Sequence, residues 1–112
     1  DRLTNILESK GLTIFARVDH AANAASADLA LPPTQVLIFG NPNLGTPLMQ
    51  SNRTIAIDLP QKALAFEDAE GQVWLAYNVP DYLAKRHDID DRDAVLEKIA
   101  GALDALTDKA VE

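Results

Sequence analysis

Lys62-Ala63-Leu64-Ala65-Phe66-Glu67-Asp68 and Val73-Trp74-Leu75-Ala76-Tyr77-Asn78, joined by Ala69-Glu70-Gly71-Gln72, decide the fold of this chain. Both arms read as strands, and a short polar connection containing Gly is hairpin chemistry. An antiparallel hairpin late in the chain makes the architecture sheet-based and antiparallel. The remaining segments are then read as further strands or as helices that cover the sheet.

Upstream, Thr34 to Phe39 (TQVLIF) is a second strand, and its unbroken apolar run asks for cover on both faces. Leu12 to Asp19 alternates. Leu12, Ile14, Ala16 and Val18 fall on one side; Thr13, Phe15, Arg17 and Asp19 fall on the other. The first ten residues place Leu3, Ile6 and Leu7 on one helical face, and Gly11 sits where such a helix stops. Ala21 to Ala30 is alanine-rich and fits a short helix ended by Pro32-Pro33. Gly40-Asn41-Pro42-Asn43 is turn chemistry. Thr46 to Ser51 fits a short helix with Pro47 in its first turn, and Thr54 to Leu59 alternates weakly up to Pro60. The tail is the strongest helix. Asp90 is the expected N-cap, Ile89 and Ala94 form the staple, and Val95, Ile99, Ala102, Leu103 and Leu106 make one stripe.

These elements predict an α+β domain over residues 1–112. A mainly antiparallel sheet of four to five strands carries two main helices on one face. The helix-side face is expected to hold Ile14, Val18, Val36, Ile38, Leu64, Phe66, Leu75 and Tyr77. The opposite face is expected to hold Phe15, Arg17, Leu37, Phe39, Ala65, Glu67, Trp74 and Ala76, with Arg17 and Glu67 placed to pair. That second face is too apolar for water. A second copy of the chain is the simplest cover, so a homodimer through Phe15, Arg17, Phe39, Glu67 and Trp74 is expected.

Composition narrows the function classes. The chain has 112 residues, 47% apolar and 24% charged, enough to build a core without metal or disulfide support. Seventeen acidic against ten basic residues give a formal charge of −7. The basic residues are scattered, Lys85-Arg86 being the one adjacent pair. That pattern argues against nucleic acid and anionic membranes. The absence of cysteine excludes disulfides, thiolate catalysis and Cys-ligated metal. No apolar run approaches the ~20 residues of a membrane span. No signal peptide is visible, and because Asp1 reads as mid-helix sequence, an upstream segment is expected to have been removed or left out.

Several motifs are near-misses. Gly40 to Thr46 has the G-x-x-x-x-G spacing of a phosphate loop but lacks its Lys, and Pro42 removes a backbone donor. Asp88 to Asp93 resembles the opening of a calcium loop. Its sixth position is Asp93 instead of Gly, and its twelfth, Ile99, is no ligand, so helix capping explains these acids better. His20 follows Asp19 at a strand end and is the candidate acid or base. His87 reads as marking a helix end or exposed loop. Asn78, Pro80, Asp81 and Tyr82 read as a loop after the last strand, and Asp58 and Glu67 are carboxylates with nothing to bring them together. No metal site or cofactor is expected.

The segments Phe15-Ala16-Arg17-Val18-Asp19-His20-Ala21-Ala22, Leu37-Ile38-Phe39-Gly40-Asn41-Pro42, Gly45-Thr46-Pro47-Leu48-Met49, Asp58-Leu59-Pro60-Gln61-Lys62-Ala63-Leu64 and Val73-Trp74-Leu75-Ala76-Tyr77-Asn78, in this order, resemble the bacterial domain of unknown function family 302. The resemblance runs from about Leu3 to about Ile89 and is expected to extend to the end of the last helix. It implies a β-α-β(4)-α type of α+β fold, whose first strand is expected before the first helix and so to be lost, disordered or supplied otherwise here, and a dimer. It also implies a bacterial protein, cytoplasmic or exported, and candidate site or fold residues at His20, Asn41, Pro42, Lys62, Tyr77 and Asn78. The family carries no assigned chemistry.

The leading functional expectation is a non-catalytic dimeric domain that binds a small ligand or a protein partner, with His20, Asn41, Lys62, Tyr77 and Asn78 as the ligand-binding candidates. The alternative is a small hydrolase or isomerase. There His20 serves as acid or base and Lys62 or Asn78 holds an anionic intermediate. A metal carrier using His20 or His87 is a third class.

Overall fold

A computed structural model describes residues 2–111, with side chains from 3 to 110. The amphipathic start forms helix α1, Arg2–Ser9, and Leu3 and Leu7 turn into the core. Gly11, at φ 76°, takes the left-handed position that ends it. Strand β1, Thr13–Asp19, follows, then helix α2, His20–Ser26, capped by the Asp19 carboxylate accepting from Ala22 N at 2.9 Å. Strand β2 spans Thr34–Gly40 and helix α3 spans Pro42–Ser51. A 3-10 turn covers Arg53–Ile57. Strands β3, Gln61–Glu67, and β4, Val73–Tyr77, form the expected hairpin. Helices α4, Pro80–Arg86, and α5, Asp93–Val111, complete the described chain.

The four strands pair antiparallel in the order β1-β2-β3-β4. The α+β class and the antiparallel sheet agree with the sequence reading. The helices number five among the described residues, more than the two main helices expected. One of them, α4, arises where turn signals were read as a loop, and the short helix expected at Thr46 to Ser51 begins earlier than expected. Asn41 and Pro42 are a helix start, N-cap and first helical residue, so α3 begins four residues before Thr46. Pro80 does the same for α4, where the sequence suggested a loop. The weak alternation of Thr54 to Leu59 yields the 3-10 turn and no strand. Helix α5 starts at Asp93, three residues beyond the expected cap Asp90; Asp91 instead accepts from the Ser51 hydroxyl at 2.6 Å.

Register corrects the assignment of the sheet faces. Leu37 lies opposite Ala63, which lies opposite Tyr77, and the next row is Gln35, Ala65 and Leu75. Directly opposed residues share a face. Leu37, Phe39 and Ala63 are buried in the core with residues from α1, α3, α4 and α5. Ala63 therefore sits under the helices, where a small side chain allows close approach, and Ala65 shares its face but is exposed. Val36, Ile38, Leu64, Phe66 and Trp74 occupy the far side, which holds none of the buried core among the described residues. Leu75 and Tyr77 were correctly assigned to the helix side. Strands β2 and β3 have the opposite phase from that expected, because TQVLIF and ALAF are apolar at successive positions and carry no polar face to set it.

In β1 a bulge breaks the alternation. Ile14 opposes Phe39 and Ala16 opposes Ile38, leaving Phe15 as the extra residue. Downstream of it Arg17 opposes Leu37, so Arg17 faces the helices, where its guanidinium donates to Thr4 Oγ1 at 2.6 Å. The expected interface set is thus divided. Phe39 is 3% exposed and belongs to the core, Arg17 lies under α1, and Trp74, 53% exposed, is on the open face.

Candidate functional site

The sheet end formed by Gly40 and Gln61 opens into a cleft of about 290 Å³. Its construction follows from local sequence. Gly40 ends β2; Asn41 is extended at φ −130°, ψ 113°, and its Oδ1 accepts from Asn43 N at 2.9 Å. Helix α3 therefore leaves the strand at once and presents Leu44, Gly45 and Met49 as one wall. The stripe of α5, with Ile99, Ala102, Leu103 and Leu106, forms the opposite wall. Phe39 and Gln61 form the floor, and Phe15, placed by the bulge, lies at the rim near Leu59 and Pro60. Gly40 has a specific role. A Cβ there would lie 3.5 Å from Pro60 Cβ and 3.8 Å from the Phe15 ring, so larger side chains would enter the space between them.

Among the described residues no charged side chain lines the cleft. Its polar side chains are those of Asn41, Thr46 and Gln61. Gln61 is only 9% exposed, and no described residue hydrogen-bonds its carboxamide. Its polar atoms are not sealed either, since no buried side-chain nitrogen or oxygen in the described structure lacks a partner. The residue lines the cleft, so a nearly buried amide with no protein partner stands at an apolar concavity.

A second polar cluster lies where the 3-10 turn meets the end of α4. His87 is 8% exposed and caps α4. Its Nε2 stands 2.6 Å from Asp58 Oδ2 and its Nδ1 2.9 Å from Thr54 Oγ1. A carboxylate only accepts, so Nε2 carries the hydrogen toward Asp58. Arg86 donates to both Asp58 oxygens at 3.0 and 3.1 Å, and Asn52 Nδ2 donates to His87 O at 2.7 Å. Hydroxyl, imidazole and carboxylate stand in the order used by nucleophilic enzymes. However, the Thr54 hydroxyl also bonds Asn52 Oδ1 at 2.9 Å, and none of these side chains lines the cleft. The geometry is that of a clamp holding the 3-10 turn against α4.

The sequence-derived candidates do not converge. Asn41 lines the cleft. Lys62 opposes Ile38 and so faces the open side of the sheet, its Nζ reaching Asp58 O at 3.4 Å. Tyr77 opposes Ala63 and packs on the core from the helix side, and Asn78 is exposed just beyond it. His20 is exposed at the other end of the sheet, beyond the Asp19–Gln35 pair. Three strand positions, roughly 10 Å, separate Gln35 from Ile38, the residue opposite Lys62. Of the residues the sequence did not single out, Gln61 had one signal: a lone amide between Pro60 and an apolar strand. His87 was read as a helix end, and it is one, but it is buried. Its partner Asp58, 29 positions earlier, carries no signal at that distance. Among the described residues no group of three His, Cys, Asp or Glu side chains could hold a metal ion.

Comparison with known proteins gives three findings. The profile of the family described as "Domain of unknown function DUF302" matches residues 1–106. The crystal structure of an uncharacterized conserved DUF302 protein from Bacillus stearothermophilus superposes with a TM-score of 0.86 at 18% identity, covering 97% of this chain and 85% of that one. That likeness concerns the fold. Two proteins named fluoride-specific ion channel FluC 1, from Brucella suis and Brucella abortus, are each 53% identical over 89 residues. The matched stretch covers 80% of this chain but 35% and 33% of those proteins, so the chain spans about a third of the length of the relatives it matches.

Proposed function

This chain belongs to the DUF302 family, and from that premise and the cleft we propose that it is a non-catalytic binding module for a small, uncharged, largely apolar molecule. The observation that carries the proposal is the Gln61 carboxamide, buried and unpartnered at the floor of an apolar cleft. A convergent polar group in a preformed apolar concavity is the usual form of a small-molecule site. None of the side chains of the polar cluster at His87 lines this cleft, which favours binding over catalysis there.

The likeness to part of proteins named fluoride-specific ion channels suggests that the module works beside a channel portion in those relatives. Fluoride itself is a poor candidate for the cleft, because no cationic side chain among the described residues lines it. Among the described residues no helix is long and apolar enough to cross a membrane. The proposal also retains a second copy of the chain as the cover for the open sheet face, now with Ile38, Leu64, Phe66 and Trp74 at its centre. Sedimentation at low micromolar concentration tests this: a species of twice 12.1 kDa is expected, converted to the single-chain mass by Leu64→Glu. Ligand binding is tested by filling the cleft. Ala102→Trp is expected to keep the fold, by far-UV dichroism, and to abolish the amide shifts that naphthalene induces around α3 and α5 in the unchanged protein. Absence of such shifts in the unchanged protein would refute the binding reading.

A further inference from the structure

We infer that the molecule held in the cleft presents an amide-type edge, an N–H beside a C=O as in a lactam or primary carboxamide, and that Gln61 reads it through a cyclic pair of hydrogen bonds. This rests on the proposal that the cleft is a ligand site, and it goes further by naming the chemical class of the ligand.

The argument starts from the inventory of groups. A glutamine side chain offers both an acceptor and donors. When either oxygen or nitrogen is bonded elsewhere, such a residue recognises only half of an edge. Here both are unbonded by any described residue, so the donor–acceptor pair is intact. The second nearby amide, Asn41, differs: its Oδ1 is committed to Asn43 N. Among the described residues Gln61 is therefore the cleft amide with both halves wholly uncommitted. A ligand with a lone ketone or ether oxygen would leave the Gln61 oxygen unpaired on closing the cleft. A carboxylate or an ammonium ion would be buried with no counter-charge from the described residues, none of which lines the space with a charged side chain. A neutral edge with one donor and one acceptor satisfies both halves at once.

Size and shape restrict the rest of the molecule. A space of 290 Å³ corresponds to about ten water-sized volumes, so the ligand has roughly that number of non-hydrogen atoms. Its body must be apolar to match Phe39, Leu103 and Met49 and the exposed Phe15 ring at the rim.

The test uses the 112-residue chain with three probes: 2-quinolinone, which has a lactam edge on a flat apolar body; its N-methyl derivative, which has lost the donor; and naphthalene, which has lost both groups. Titrations followed by amide and Gln61 side-chain resonances are expected to show 2-quinolinone binding about ten-fold more tightly than the N-methyl compound, as the loss of one neutral hydrogen bond predicts. Gln61→Leu is expected to erase that preference while leaving naphthalene binding intact or tighter, with Gln61→Met as a second variant should the first fold poorly. If all three probes bind alike, and Gln61→Leu changes none of them, the ligand class is overturned while the apolar cleft survives as a site. If none shifts a cleft resonance in the unchanged protein, the site itself is refuted, and this inference with it.

Discussion

Replacing Gln61 with Leu is expected to stabilise the protein. Gln61 is 9% exposed, its carboxamide has no partner among the described residues, and its neighbours on the cleft floor and walls are apolar. A buried unpaired amide costs about 1–3 kcal/mol. Because the group keeps access to the cleft, the lower half of that range applies, and Leu of similar volume adds favourable apolar burial. The net expectation is a gain of about 1–2 kcal/mol. At roughly 2.1 cal/mol/K of unfolding entropy per residue, that corresponds to a rise in Tm of about 4–8 °C. Urea unfolding followed by Trp74 fluorescence, Trp74 being the one tryptophan, measures the free energy, and calorimetry measures Tm. A loss of 1 kcal/mol or more would refute the reasoning, since it would mean that the amide holds a partner in the folded protein. A gain in stability with a loss of lactam binding would mark Gln61 as a residue kept for function at the expense of the fold.

Three further outcomes are expected. His87→Ala removes hydrogen bonds to Asp58 and Thr54 in a nearly buried setting and should cost about 3 kcal/mol in urea unfolding. In a double-mutant cycle with Asp58→Ala the two losses should fall short of additivity by at least about 1 kcal/mol. Gly11→Ala, at φ 76° with nothing within 4 Å of the added Cβ, should lose about 1 kcal/mol through backbone strain alone, and Gly11→Asn should lose less. The Trp74 indole donating to Asp68 Oδ2, together with the backbone amides of Gln72 and Glu70, holds the Asp68 carboxyl below the usual aspartate range. The stabilisation from this lowered group is present above its unfolded-state value and is lost as pH falls through the folded one. Trp74 fluorescence should therefore change at a pH below the ordinary aspartate midpoint, and Asp68→Asn should abolish that transition.

The same hairpin shows how far local chemistry reaches. Gly71, at φ 80°, and the Asp68 carboxylate, which accepts from two turn amides, fix the connection from within a few residues, so β3 and β4 were legible without a partner. Helix α5 was legible for a related reason: its stripe repeats over many turns. The starts of α3 and α4 were misread because Asn-Pro and Val-Pro serve equally as a turn or as a helix entry. The choice falls to what the next turns pack against, here Leu48 in α3 and Leu83 and Ala84 in α4.

Sequence alone determined the class of structure, an antiparallel sheet with helices and a surplus of apolar strand surface, because hydrophobic periodicity and turn residues act over short distances. Which side of each central strand meets the helices was decided only in three dimensions. In β2 and β3 both sides are apolar, so the phase is set by the register with neighbouring strands and by the bulge at Phe15. The site has the same origin. Gln61 lines a cleft only because α3 and α5 come together beside it without pairing its amide, and His87 finds Asp58 only because α4 folds back on the 3-10 turn. Contacts of that kind depend on where distant segments come to rest, a quantity that no local pattern in the chain encodes.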